Sequence, residues 1–174
     1  VYDTYTLVGR LTGQPEQANL ALRVLQNRVN RVIAQVPKVG ARPKVLALLA
    51  AGGQNFSTTD ETYIGDLLEK LGAVNVAKGT PSPDPRQPGF VVLSLEQIVA
   101  SNPDVILAFR PRTASGEYAP SPLAPLESQP AYRNLNAVKN NRVHLLDADP
   151  FVSAPGPRAV ESLTKLLPLL YPGR

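Results

Sequence analysis

The sequence contains no cysteine, no tryptophan and a single histidine among its 174 residues. Without cysteine there is no disulfide framework and no thiolate metal site, although this absence does not identify a compartment. One histidine without cysteine cannot make a usual zinc centre. His144 moreover stands inside an apolar run, where a core or strand-edge side chain is expected. The glycine-rich signatures are missing as well. No Lys-Ser/Thr follows Gly52-Gly53, and neither GxGxxG nor GxSxG occurs. A phosphate-binding P-loop, a dinucleotide fingerprint and a nucleophile elbow are thereby excluded. No run of about 18 apolar residues is present, which excludes a helical membrane span within these residues. No signal peptide is visible either. Enzyme chemistry finds no anchor, so the chain is expected to be non-enzymatic, with no resident cofactor and no metal site.

What is present is globular in composition. Hydrophobic residues make up 43% and charged residues 18%, and the length suffices for one domain with its own core. Proline is frequent, at 18 residues, and much of it lies in 81–88 and 111–130. Those stretches read as loops, because proline lacks a backbone donor and breaks helix or central strand. The net charge is +4, but lysine and arginine are scattered rather than gathered with aromatics, so nucleic acid is not an expected partner. Arg23, Arg28 and Arg31 fall off the apolar stripe of a helix expected over 15–36, which is a solvated face.

Periodicity sets the element order. Tyr2, Tyr5, Val8 and Leu11 recur every three residues and read as the last turns of a helix closed by Gly13. An N-terminal portion is expected to precede it. Pro15 opens the next helix, whose stripe is Leu20, Val24, Leu25, Val29, Val32, Ile33 and Val36. Residues 44–50, 104–109 and 142–147 are short apolar strands, buried on both faces. Asp60 is placed to cap a helix carrying Ile64, Leu67, Leu68 and Leu71, and "AVNVA" is a brief extended piece. Ser94 and Gln97 have capping-box spacing for a helix over 95–101, ended by Pro103. A last helix spans about 157–167, and Pro168 is expected to end or kink it. Strands alternating with helices predict an α/β domain with a parallel sheet covered on both faces.

In such sheets ligands bind beyond the carboxyl ends of the strands. The loops 51–60, 109–121 and 147–158 are therefore the candidate site. Arg110, Arg112 and Arg158 form a candidate cationic rim, since a guanidinium fork matches carboxylate or phosphate. The plain alternative is solvated loop charge, with Arg158 merely opening the last helix. Phe56, Phe90, Tyr118 and Phe151 are loop aromatics able to stack on a bulky ligand, whereas Tyr63 lies within a helix pattern and reads as core.

Several segments together are familiar. "LGAVNVA" (71–77), "LSLEQIVASNPDVIL" (93–107), "LNAVKNNRVHLLD" (135–147) and "PGPRAVESL" (155–163) resemble the C-terminal lobe of class III (cluster A-III) periplasmic substrate-binding proteins of ABC importers. "LTGQPEQANLAL" (11–22) resembles the segment just after that family's inter-lobe helix. The resemblance implies a Rossmann-like three-layer lobe over 14–174, preceded at 1–13 by the end of the inter-lobe helix, with the N-terminal lobe absent. It implies capture of a ligand between two lobes and delivery to a membrane permease. An anionic ferric siderophore is the first expectation, because the arginines supply countercharge. Vitamin B12 is second, on Phe90 and Phe151. Haem is third, with Tyr118 as the placed axial candidate. Phe56, Phe90, Arg110, Arg112, Tyr118, Phe151 and Arg158 are the implied ligand contacts, and Glu96 matches the carboxylate that docks onto the permease. The implied location is periplasmic, or extracytoplasmic and lipid-anchored. Departures are the missing tryptophan, on which several relatives stack ligands, and His144 where relatives often carry tyrosine. A rival of another class is a single-lobe α/β enzyme or nucleotide-binding module using Gly52-Gly53, and a further one is an interaction domain without a ligand.

Overall fold

The computed structural model describes residues 2–51, 54–152, 156 and 158–173. Its centre is a six-stranded sheet in the order β4 (Phe90–Val91), β2 (Gln54–Thr58), β1 (Lys44–Ala51), β5 (Val105–Arg110), β6 (Val143–Asp147), with β3 (Val74–Asn75) also paired to β1. β1, β5 and β6 are parallel neighbours. These are the three apolar runs, now side by side and pointing one way. Val105 to Phe109 are all 0% exposed. Burying a side chain of that size stabilises the fold by about 1.5–3 kcal/mol, so this one strand anchors the sheet.

Alternation along the strands divides the core in two. Val45, Ala47, Leu49, Leu107 and Phe109 face a layer made by α2 (Pro15–Ile33), α3 (Tyr63–Lys70) and α8 (Ala159–Leu170). Leu46, Leu48, Ile106 and Ala108 face the other layer. That layer holds α4 (Leu95–Ser101), α5 (Ala124–Glu127), a 3₁₀ turn at Pro130–Asn134 and α6 (Asn136–Lys139). The result is the three-layer α/β arrangement that the sequence pattern predicts.

Local chemistry explains the ends of the helices. Ser94 Oγ accepts from Gln97 N at 3.2 Å, and Gln97 Oε1 accepts from Ser94 N at 2.8 Å, completing the capping box. Asn102 takes the left-handed conformation at φ 42°, and Pro103 prevents continuation. At α3 the cap is Thr62, whose Oγ1 accepts from Gly65 N at 3.1 Å, and not Asp60. Asp60 is two residues too early, and its carboxylate accepts from Gly79 N at 2.9 Å instead. α8 runs through Pro168 to Leu170. Its final carbonyls are satisfied from outside, since Arg142 Nη2 donates to Leu169 O at 3.2 Å and to Leu170 O at 2.7 Å.

Four expectations are corrected. The sheet is mixed rather than purely parallel. Residues 54–58, expected within a loop, form β2 (Gln54–Thr58), which returns antiparallel to β1 with Leu48 opposite Ser57. β4 (Phe90–Val91) then pairs antiparallel with β2. Phe56 and Thr58 have strand preference, which takes effect once a neighbour exists to pair with them. The stripe of α2 is also shorter than its periodicity. Leu25, Val29 and Val32 are buried, but Leu20 and Val24 are 64% and 44% exposed. The first half of α2 leans on α1 (Tyr2–Leu11) instead of the sheet, at a crossing where a Cβ on Gly9 would collide with Ala18. The helix also ends at Ile33 rather than 36.

Two strands share one edge of β1. β2 pairs with its carboxyl half, and β3 (Val74–Asn75) pairs with its amino half through Lys44 and Val45. Asn75, 6% exposed, closes the junction. Its Nδ2 donates to Thr58 O at 2.7 Å and its Oδ1 accepts from Ala77 N at 3.0 Å. Asn75→Ala is expected to leave both groups unpaired and to cost about 1–3 kcal/mol, read as a lower urea midpoint; an unchanged midpoint refutes this role. Gly9→Val should separate α1 from α2. Faster amide exchange over 2–11, with β5 amides unchanged, is the expected signature.

Candidate functional site

The carboxyl ends of β5 and β6 put Arg110 directly opposite Asp147. Pro111 then removes the next donor, and the chain leaves the sheet. Residues 111–119 fold back as a small hairpin. Thr113 N donates to Glu117 O at 2.7 Å, and Ala119 N donates to Pro111 O at 2.9 Å. Arg112 and Tyr118 form a bridge across it, and Gly116 supplies the turn with φ +83°.

The hairpin brings a cluster onto Asp147. Tyr118 Oη donates to Asp147 Oδ2 at 3.1 Å and accepts from Arg112 Nη2 at 2.8 Å. Arg112 Nε lies 3.5 Å from the same carboxylate oxygen, and its Nη1 donates to Gly116 O at 3.1 Å. The guanidinium carbons of Arg112 and Arg110 stand 4.2 and 4.7 Å from the Tyr118 ring centre. The N–H of Asp149 is the main influence holding the Asp147 carboxyl below the usual range; Tyr118 and Arg112 add to it and burial opposes it. The two arginines delivered by the buried strand are thus met first by the chain's own tyrosine and carboxylate. Arg110 meets only the Tyr118 ring, and its buried Nε has no hydrogen-bond partner among the described residues.

The other predicted contacts are placed differently. Arg158 precedes α8 and is bound to Asp149 Oδ2 at 3.1 Å and Glu161 Oε2 at 3.4 Å. Phe56 and Phe90 form an edge-to-face pair, 6.3 Å between ring centres at 79°. Ser57 faces Leu48 on one side and Val91 on the other, so Phe90 stands one step below Leu48, away from the carboxyl ends. β4 lies four strand positions from β6, about 19 Å at the usual spacing. The aromatic pair and the arginine cluster are therefore separate features of the sheet.

Phe151 is a correction. It sits on α7 (Asp149–Val152), is 2% exposed, and its ring centre is 5.0 Å from that of Phe109. It packs the core and lends no open face to a ligand. The cause is immediate: α7 starts two residues after β6 and turns inward, with Phe151 N donating to Ala148 O at 2.9 Å. Tyr63 is also part of the core packing, as its place in a helix pattern predicts. His144 is half-buried in β6, and burial, then Arg142, lowers its pKa. Glu96 is exposed in the first turn of α4, and the Ser94 hydroxyl holds its carboxyl low.

Two features escape a reading of the sequence. Asp147 was visible only as the last residue of a strand, and its role depends on register with Arg110. A groove of about 480 Å³ also opens beyond the ends of β1 and β5, lined by Ala50, Ala51, Asn55, Ala119, Pro120 and Pro125 among others. Small apolar residues from separate segments carry no local signal.

Residues 1–150 match the family described as periplasmic binding protein. The high-affinity heme uptake system protein IsdE of Staphylococcus aureus is 30% identical over 158 residues, covering 91% of this chain and 51% of that protein. The crystal structure of S. aureus IsdE complexed with heme superposes with a TM-score of 0.77 at 26% identity, over 98% of this chain and 63% of that one. An ABC transporter substrate-binding protein from Listeria monocytogenes EGD-e gives 0.75 at 26% identity, over 98% and 63%. The chain spans about half the length of the curated relatives it matches. The matched span contains the strands β1 to β6 and the whole Arg110–Tyr118–Asp147 cluster, and the chain belongs to the periplasmic binding protein family.

Proposed function

We propose that this chain is the C-terminal lobe of the substrate-binding component of an ABC importer and that it captures an iron chelate against a second lobe. Residues 1–13 are the end of the inter-lobe helix in this reading, and 14–174 the lobe. The observation that carries it is the cationic, tyrosine-backed rim beside a small apolar groove, at the carboxyl edge of the sheet in a chain of this family. The mechanism is capture and presentation, with no bond made or broken. The protein acts outside the cytoplasm, with a lipid anchor as its attachment.

Haem and ferric siderophores are the ligand classes this reading favours. Haem gains from the kinship with a heme uptake protein. Vitamin B12 loses much of its support, since it rested on Phe90 and Phe151, and Phe151 is core. The nucleotide-binding alternative used Gly52-Gly53, which lie outside the described residues.

Glu96 is the docking group for the permease. Its exposure and its place in the first turn of a capped helix present a fixed negative charge to a basic partner. Thermal shift and absorbance titration of the full encoded protein are expected to show stabilisation by an iron chelate and none by ATP or NAD. Stabilisation by a nucleotide alone would sink the reading. Glu96→Arg is expected to retain chelate affinity while abolishing uptake in cells; normal uptake by this variant rules out the docking role.

A further inference from the structure

The rim offers less free charge than its arginines suggest. Arg112 shares Asp147 with Tyr118, so the Arg110–Arg112–Asp147 group carries one net positive charge. Arg158 is opposed by Asp149 and Glu161, and Lys165 pairs with Glu161 at 2.7 Å, so that second group is neutral. Glu117, exposed at the hairpin tip, adds a negative charge nearby. The adjacent groove is lined by alanine, proline, neutral amide and hydroxyl side chains and by Arg112, whose charge Asp147 already answers. One guanidinium has no carboxylate of its own: Arg110 lies over the Tyr118 ring, makes no ion pair among the described residues, and its Nε is a buried donor without an acceptor among them. A buried unpaired donor is costly until something supplies the acceptor.

We infer that Arg110 is the one anion-recognition residue of this lobe, that it takes a single carboxylate of the ligand, and that the ligand's apolar body lies in the groove beyond β1 and β5. The inference rests on the reading of the chain as a chelate-binding lobe and narrows the ligand class. A flat apolar chelate bearing separate carboxylates fits. A compact polyanion such as a ferric tricatecholate does not, because this lobe would leave most of its charge unpaired. Arg112, Tyr118 and Asp147 are positioning residues. They hold the hairpin against β6 and stack the ring on which the Arg110 plane rests.

The test compares haemin with its dimethyl ester, the same flat chelate with its carboxylates masked. Both are titrated by Soret absorbance into the full encoded protein and its variants. Arg110→Ala should weaken haemin about tenfold, the loss expected for one charge-assisted contact, and leave the ester within about twofold. Arg110→Lys should restore only part of the haemin affinity, since an ammonium neither forks nor stacks as a guanidinium does. Arg112→Ala and Asp147→Asn should weaken acid and ester by similar factors and lower the melting temperature. Equal losses for acid and ester in Arg110→Ala, or acid-selective losses in Arg112→Ala, overturn the inference. Failure of the unaltered protein to bind haemin, its ester and any ferric siderophore overturns the chelate-binding reading itself.

Discussion

Everything at the candidate site depends on the burial of one strand. Val105 to Phe109 have no contact with solvent, so β5 cannot slide by a residue without exchanging every side chain between two differently packed core layers. That constraint fixes the height at which the chain emerges, and with it the register of Arg110 against Asp147 on β6. The polar cluster is the edge of an apolar lock. Its geometry is inherited from the packing of Leu107 and Phe109 on one face and Ile106 and Ala108 on the other.

A second consequence concerns charge. Three arginines near a ligand edge suggest a strongly basic rim, but the chain itself answers most of that charge. Asp147 engages Arg112 and Tyr118, while Asp149 and Glu161 engage Arg158. These pairs are partly exposed, and each contributes little to global stability in water. Their effect is positional: they determine which guanidinium remains available and in what orientation. The hairpin that carries Arg112 and Tyr118 is held mainly by these contacts and by its own backbone bonds, which makes it the part of the rim most sensitive to a single substitution.

Much of the architecture was legible in short-range patterns. The capping box at Ser94, the stop at Pro103 and the three apolar strands follow from spacing and backbone chemistry, which are properties of neighbours in the chain. The departures share one cause. β2 required a partner strand before its residues read as β, Leu20 and Val24 follow helical periodicity yet stay exposed because that half of α2 packs on α1 instead of the sheet, and the end of α8 beyond Pro168 is capped by Arg142, which donates to its last carbonyls. Phe151 looked like a loop aromatic because nothing local shows that α7 turns inward onto Phe109.

The sequence by itself determined that this is an α/β chain, where its strands end, and that arginine and aromatic residues gather near those ends. Apolar runs and proline breaks encode these facts locally. Only the tertiary structure decided which of those residues the chain itself engages. Whether Arg110 is free and Arg112 engaged depends on a carboxylate 37 and 35 positions further along, brought beside them by strand register. Side-chain availability is a property of neighbours in space, and a linear string does not carry it.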